Sequence, residues 1–297
     1  MDEHVLLANR FEAHRAHLTA VAYRMLGSLT EADDAVQEAW LRLDRVDPDA
    51  IDNLGGWLTT AVSRVCLDML RARKSRREDA FETHLPDPIV ARDDRTQPEQ
   101  QAVLADSVGM ALLIVLDSLN PAERVTFVLH DMFTVPFDQI APVVGKSAAA
   151  AKMIASRARR RVQGRTPQPD RDLPRQRRLV DAFLTAARGG EFESLLAILD
   201  PEVVLRADAG ALLPGGIRVF RGAAAVAGQL EVFRRAANAF ASHPVLINGF
   251  AGLLNTDGDK TISLIAFTTS DGKITAIDLL SDPARLPRLD TIAHGNQ

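Results

Sequence analysis

Apolar residues recur at three- and four-residue steps along Leu29–Leu43, at Leu29, Ala32, Val36, Ala39, Trp40 and Leu43. That period predicts a helix with one buried stripe. Thr30 stands where an N-cap is expected, and acids crowd the first turn, where the helix dipole favours them. The opposite face carries Asp33, Asp34, Gln37 and Glu38, with Asp33/Gln37 and Asp34/Glu38 one turn apart and side by side. Ahead of it, residues 5–26 place Leu6, Leu7, Phe11, Leu18, Val21, Ala22, Met25 and Leu26 on one face, and Gly27-Ser28 breaks the pattern. Arg45–Gly56 reads as a loop. A long helix then runs from Trp57 to about Arg77, with Trp57, Leu58, Ala61, Val62, Val65, Cys66, Met69 and Leu70 on one side. Residues 1–80 are therefore expected to form a helical bundle.

Residues 81–101, acid-rich and carrying Pro86, Pro88 and Pro98 without a sustained period, read as a linker. A second helical unit is expected over 102–163. Val103–Leu119 is apolar at helical spacing, and Asn120-Pro121-Ala122-Glu123 has the residues of a helix start. Phe137–Val144, then Gly145-Lys146, then Ser147–Val162 follows the order short helix, glycine turn, second helix: a helix-turn-helix. Pro142 lies inside the first of these helices, where it removes a backbone hydrogen bond. Residues 164–177 form a second linker. From 178 to 297 the period changes. Arg178–Leu199 predicts an amphipathic helix and Gly222–Ala239 another. Val203–Ala207, Ile217–Arg221, Ser242–Gly249, Lys260–Thr268 and Lys273–Leu279 read as strands. This is an α+β tail. The fold class is thus multidomain: two all-α helical domains followed by an α+β domain.

Charge changes the picture because it is segregated. The net charge is −4 over 297 residues, which by itself argues weakly against nucleic acid. Yet residues 31–52 hold eight acids against Arg42 and Arg45, residues 71–77 hold five cations and no acid, and residues 146–165 hold seven cations and no acid. Phosphate responds to local potential rather than to the sum. Cys66 is the single cysteine, so no disulfide framework or multi-cysteine metal site is expected within the chain. Met1-Asp2-Glu3-His4 lacks signal-peptide character, and the apolar run near Met110–Leu116 is far shorter than a bilayer span. A cytoplasmic protein with no membrane contact is expected.

The basic end of the long helix suits single-stranded DNA: Arg64, Arg71, Arg73, Lys74, Arg76 and Arg77 can follow a backbone, while the loop at Asp52 and Asn53 receives unstacked bases. In the helix-turn-helix, Lys146, Ser147, Ala148, Ala149 and Lys152 lie at the end that enters a major groove. The alanines permit close approach and can touch thymine methyls, and Lys152 is the best candidate for reading a base. Ser156, Arg159, Arg160 and Gln163 share the outward side of Lys152, and Arg157, Arg159, Arg160 and Arg161 are placed mostly to hold phosphate. In the tail, Asp208, His243, Asn248 and Asp278 are the residues an enzyme would use, but no acid–base pair stands at a telling spacing. His14 and His17, three apart on a helix, have the spacing to share a metal, although solvated helix positions are far commoner. No metal and no cofactor is expected.

With these stretches in place, the chain resembles the extracytoplasmic-function (ECF) sigma factors of bacterial RNA polymerase. The resemblance is carried by A-Y-R-M-L-G-S-L-T-E-A-D-D-A-V-Q-E-A-W-L-R-L (22–43), G-W-L-T-T-A-V-S-R-V-C-L-D-M-L-R-A-R-K (56–74), L-N-P-A-E-R-V-T-F-V-L (119–129) and F-D-Q-I-A-P-V-V-G-K-S-A-A-A-A-K-M-I-A-S-R-A-R-R-R-V (137–162). It implies a region 2 bundle over 1–80 and a region 4 helix-turn-helix over 102–163. It further implies that Asp33, Asp34, Gln37 and Glu38 dock on the β′ clamp coiled coil of core RNA polymerase. By the same resemblance the following loop and basic helix melt the −10 element of promoter DNA, the last helix reads the −35 element, and the linker threads the RNA exit path.

Residues 178–297 resemble a SnoaL-like domain, a cone of curved sheet closed by helices, which points to the sigma-J type of ECF factor. Two signatures of that type are altered. His84-Leu85-Pro86-Asp87-Pro88 stands where W-L-P-E-P is usual, and Asp208-Ala209-Gly210-Ala211-Leu212 where D-G-G-G-K is usual. Asp208 and Gly210 mark a regulatory loop on this reading, with the tail modulating the factor in cis and the free chain a monomer. A small-molecule ligand of the tail stays open. Two rival functions also stay open: a stand-alone helix-turn-helix regulator, and a SnoaL-type isomerase or hydrolase fused to a DNA-binding module.

Overall fold

The computed structural model describes residues 3–47, 51–77, 84–93, 108–163, 170–212, 216–237 and 240–289. The chain divides into two compact units, one of 1–80 with 113–165 and the other of 81–112 with 166–297.

In the helical unit, α1 (Glu3–Leu26), α2 (Leu29–Leu43) and α3 (Leu54–Arg77) pack against one another. Phe11, Leu18, Met25, Val36, Leu43 and Leu58 are among the buried side chains of that bundle. Each such apolar side chain contributes on the order of 1.5–3 kcal/mol of transfer free energy. The N-cap of α2 is Ser28 rather than Thr30: its hydroxyl accepts from the Glu31 N–H, and Leu29 is already helical. Gly27, with a positive φ (72°), turns the chain between α1 and α2 at the break the apolar pattern implied, and the cap falls two residues ahead of Thr30.

Next come α4 (Met110–Asp117) and α5 (Pro121–Phe127), a π-helical turn (Val128–Met132), α6 (Phe137–Val144) and α7 (Ala148–Gln163). The beginning of the expected Val103–Leu119 helix lies outside the described residues. Both bonds of the capping box form: Asn120 Oδ1 accepts from the Glu123 N–H at 2.9 Å, and Glu123 Oε2 accepts from the Asn120 N–H at 3.3 Å. Gly145 ends α6 in the left-handed region (φ 68°), which turns α7 away from α6. Pro142 is accommodated within α6. The second helical set packs on the first through α3, which touches both α5 and α6.

The other unit is α+β. Its elements are β1 (Val90–Arg92), α8 (Leu173–Gly189), α9 (Phe192–Ile198), β2 (Leu199–Asp208), β3 (Ile217–Arg221), α10 (Ala223–Ala237), β4 (Ala241–Ile247), β5 (Phe250–Asp257), β6 (Lys260–Ser270) and β7 (Lys273–Leu280). They form one seven-stranded sheet in the order β1-β4-β5-β6-β7-β2-β3. Every neighbouring pair is antiparallel except β2 with β7. Val180, Phe183 and Ala186 of α8, Leu195 of α9 and Val226 of α10 close over Leu205, Leu253, Phe267 and Ile277 of the sheet. Phe183 and Phe267 meet edge to face with centroids 4.9 Å apart.

Four expectations change here. The single helix over Arg178–Leu199 is two helices, because Gly190 in the left-handed region (φ 71°) caps α8; that helix starts earlier, at Leu173, capped by Asp172. Ser242–Gly249 does not continue as one strand. Asn248 (φ 51°) and Gly249 (φ 77°) make a two-residue turn with Ile247 paired to Phe250, so β5 is an additional strand. The last change concerns residues 81–101. Val90–Arg92 pairs with Val245–Ile247 as the edge strand β1, so this part of the expected linker belongs to the tail's sheet.

Candidate functional site

On α2 the buried stripe (Ala32, Ala35, Val36, Ala39 and Leu43) fixes which side faces outward. Asp33, Asp34 and Gln37 are exposed and Glu38 half-buried, so the four predicted residues share one outward face. Glu38 receives the Arg42 guanidinium at 3.0 Å. Arg15 of α1 feels the negative potential of Asp33, and its own i,i+3 pair with Glu12 holds the Glu12 carboxyl below the usual carboxylate range. The face remains net acidic.

The predicted single-strand residues divide. Asn53 caps α3, its Oδ1 accepting from the Gly56 N–H at 3.0 Å, while Asp52 beside it is exposed. Arg64 is exposed and donates to the Pro142 carbonyl at 3.5 Å. Arg71 and Lys74 are exposed on the last turns of α3. Arg73, by contrast, turns inward. It donates to the Leu26 carbonyl at the end of α1 (3.0 Å) and to the Glu31 carboxylate of α2. A cation counted in the basic run is therefore a cross-brace of the bundle. The side chains of Arg76 and Arg77 lie outside the described residues.

In the helix-turn-helix, Ala151, Ile154, Ala155, Ala158 and Val162 are buried, as an inward face requires. Lys146, Ser147, Ala148, Ala149, Lys152, Arg157 and Arg160 are exposed, and Ser156 is half-buried. Ser147 caps the helix, accepting from the Ala150 N–H at 3.2 Å. Arg159 is partly spoken for by Asp131 at 2.5 Å, and Arg161 ties α7 to α5 through Glu123 at 2.7 Å. The positive surface is thus concentrated toward the exposed first turns and the outer arginines.

The tail grips the stretch between the helical sets. Asp208, fully buried at the end of β2, accepts from the Leu85 N–H (2.8 Å) and the Gly210 N–H (3.0 Å) and pairs with Arg285 at 3.0 Å. Arg285 also donates to the Leu85 carbonyl (2.9 Å) and to Asp87 (2.7 Å). Gly210 has a left-handed backbone (φ 56°), and a Cβ there would run into the Asp282 carboxylate, so only glycine fits. Farther on, Asn248 accepts from the Ile89 N–H at 3.0 Å and donates to the Val108 carbonyl at 3.1 Å. Arg177 of α8 holds Asp93 through a 2.9 Å bond from Nε. Residues 84–93 are fastened at both ends.

Comparison with known proteins agrees with this arrangement. A family model described as Sigma-70 region 2 matches residues 10–76. The ECF RNA polymerase sigma factor SigJ of Mycobacterium tuberculosis is 39% identical over 290 residues, covering 93% of this chain and 91% of that protein. The chain belongs to the ECF sigma factors. Another relative in the family, the probable ECF sigma factor SigI of the same species, is 35% identical over 97% of this chain and 98% of its own length. The crystal structure of M. tuberculosis SigJ superposes with a TM-score of 0.74 at 33% identity, covering 94% of this chain and 98% of that one. As an ECF sigma factor the protein is a non-enzymatic subunit that directs RNA polymerase to promoter DNA.

Within this sigma factor, the residues an enzyme would have used are structural. Asp208 and Asn248 hold the 84–93 stretch, and His243 hydrogen-bonds Thr256 at 3.0 Å across β4 and β5. Asp278 pairs with Arg206 at 2.9 Å between β7 and β2. Burial pushes the Asp278 carboxyl above its ordinary value, against the pull of the Arg206 guanidinium. His17 bonds Thr59 at 3.3 Å, and among the described residues no group of three or more His, Cys, Asp or Glu side chains could hold a metal. Sequence reasoning missed Arg285 and Arg177, whose roles depend on partners nearly 200 and 84 positions away. No local pattern announces either one.

Proposed function

We propose that this sigma factor divides its tasks among the exposed charged faces and that the tail regulates them through the stretch it grips. The acidic face of α2 (Asp33, Asp34, Gln37 and Glu38) docks on the β′ clamp coiled coil of core polymerase. Asp52 and Asn53, with Arg64, Arg71 and Lys74 along α3, take the melted −10 strand. The exposed first turns of α7, led by Lys152, read the −35 duplex, with Arg157 and Arg160 on phosphate. Arg73 is withdrawn from the DNA set because its donors are already committed within the bundle.

The observation that carries regulation in cis is the hold on residues 84–93. They are paired to β4 and bonded to Asp208, Asn248, Arg177 and Arg285. A sigma factor whose inter-helical stretch must pass along polymerase has to surrender these bonds or carry the tail with it. A tail tethered in the same chain competes at high effective concentration. In vitro run-off transcription with purified core enzyme tests this. Arg285→Ala, which removes the guanidinium bonds to Asp208, the Leu85 carbonyl and Asp87, is expected to change promoter-dependent output several-fold at equal sigma concentration while the thermal midpoint of the helical unit is kept. Unchanged output and unchanged selectivity would remove the tail from the control of initiation. A stand-alone DNA-binding regulator would instead bind its duplex tightly without polymerase, which a gel-shift on the full chain distinguishes.

A further inference from the structure

The inward face of α7 accounts for its buried apolar residues, but one large apolar side chain points the other way. Met153 is 62% exposed, against 38–48% for Val5, Leu6, Leu41 and Val46, the other exposed large apolar side chains among the described residues of the helical unit. A lone exposed apolar residue needs no explanation in general. The surroundings of this one do call for one. Ala149 lies one turn ahead of Met153 on the same ridge and is exposed, so the two form an apolar strip. Lys152 precedes it, Arg157 follows one turn later, and both are exposed. Between Lys146 and Gln163 the sequence has no acid at all.

An apolar strip set among cations fits a partner that is a polyanion with apolar points on its surface. The major groove of duplex DNA is such a surface, and the thymine C5-methyl is the apolar group that its base edges present there. Met153 is the sixth residue of α7, within the part of a recognition helix that reaches base edges. An unbranched thioether adapts its shape to a methyl, or to two methyls on adjacent base pairs.

We propose that Met153 is a specificity-determining residue that packs on thymine methyl groups in the upstream promoter element, with Ala149 giving the backbone room to approach. This rests on the reading that α7 enters the −35 duplex. The two readings are separable by experiment.

A promoter selected from random duplexes with the full chain and core polymerase is resynthesised with each upstream thymine replaced in turn by deoxyuridine, which deletes only the methyl. For the unaltered protein, one or two positions are expected to lose affinity by about three- to fivefold, the effect of one buried methyl. Met153→Ala should bind the thymine and uracil forms of those positions equally and match the unaltered protein on the uracil form. Met153→Gln, which keeps the length but not the apolar character, should behave likewise. Because residue 153 is exposed, both variants are expected to fold, which circular dichroism checks. Arg157→Ala reports on the underlying reading: it should weaken all sequences and flatten the salt dependence. If Arg157→Ala does neither, α7 is not the DNA helix. If Arg157→Ala behaves as expected but Met153→Ala still discriminates thymine from uracil, the assignment of Met153 is wrong. Loss of core-polymerase binding in Met153→Ala, with discrimination intact, would instead make the strip a protein contact and overturn it too.

Discussion

Arg73 and Asp278 show how a side chain's chemistry depends on what surrounds it. In sequence Arg73 belongs to a run of cations, but its position on α3 aims it at the end of α1, where the Leu26 carbonyl and Glu31 receive it. Arg73→Ala is expected to lower the stability of the helical unit by about 1–2 kcal/mol in urea titration, since a hydrogen bond to a charged group is lost near the surface. Arg71→Ala and Lys74→Ala should leave it within about 0.5 kcal/mol and weaken DNA binding instead. Asp278 is the opposite case, an acid whose only described cation is Arg206. Arg206→Met is expected to cost the tail about 3–5 kcal/mol at neutral pH by leaving a buried charge uncompensated, and Asp278→Asn should restore most of it. The pH dependence follows from the sign of the shift. A carboxyl raised in the folded state holds its proton more tightly there, so its contribution favours folding below about pH 4 and fades as pH climbs toward the folded value. Removing Arg206 raises the carboxyl further and widens that window, which thermal melts between acid and neutral pH would record.

Among the elements, those that carry their own start and stop signals were legible in the sequence. The capping box at Asn120, the glycine stop at Gly145 and the two-faced pattern of α2 are local, and each reappears in the structure. So do the outward residues of α2 and most of those of α7. What was not legible depends on distant partners. Strand β1 is three residues long and has no alternation of its own; pairing with β4 makes it a strand. Strand β5 was hidden because Ala251, Gly252, Leu253 and Leu254 are all buried, which hides the period of two. Asn248 joins both issues, since its left-handed turn starts β5 while its side chain fastens the backbone at Ile89 and Val108. Asn248→Ala should release that segment: about 2–4 kcal/mol is expected from two lost bonds and an unfavourable backbone. Limited proteolysis and amide exchange would show it as faster cleavage and exchange within residues 84–93, with α1–α3 unaffected.

Taken whole, the chain sorts charge by task, with one acidic helix face, two basic helical regions and a tail of balanced charge (11 Lys/Arg and 13 Asp/Glu over 178–297). If that sorting governs function, Asp34→Lys or Glu38→Lys should abolish co-migration with core polymerase on a sizing column at low ionic strength while helicity is kept. Retained co-migration would return the α2 face to ordinary solvated surface. The family match and the helical motifs span the front of the chain, whereas the grip on residues 84–93 emerges only once both compact units are seen to be interleaved in sequence.

That interleaving has a consequence for how the protein comes into being. Val90 waits for Ile247, and Leu85 and Asp87 wait for Arg285. A ribosome delivers these partners last, at roughly 5–20 residues per second. For the several seconds between synthesis of the α7 segment and emergence of β4 and the Arg285 turn, a nascent chain has its helical unit but lacks the partners on β4 and at Arg285 that hold residues 84–93. A translation pause in that interval would leave residues 84–93 without those partners, so the order of synthesis sets when the stretch becomes fastened.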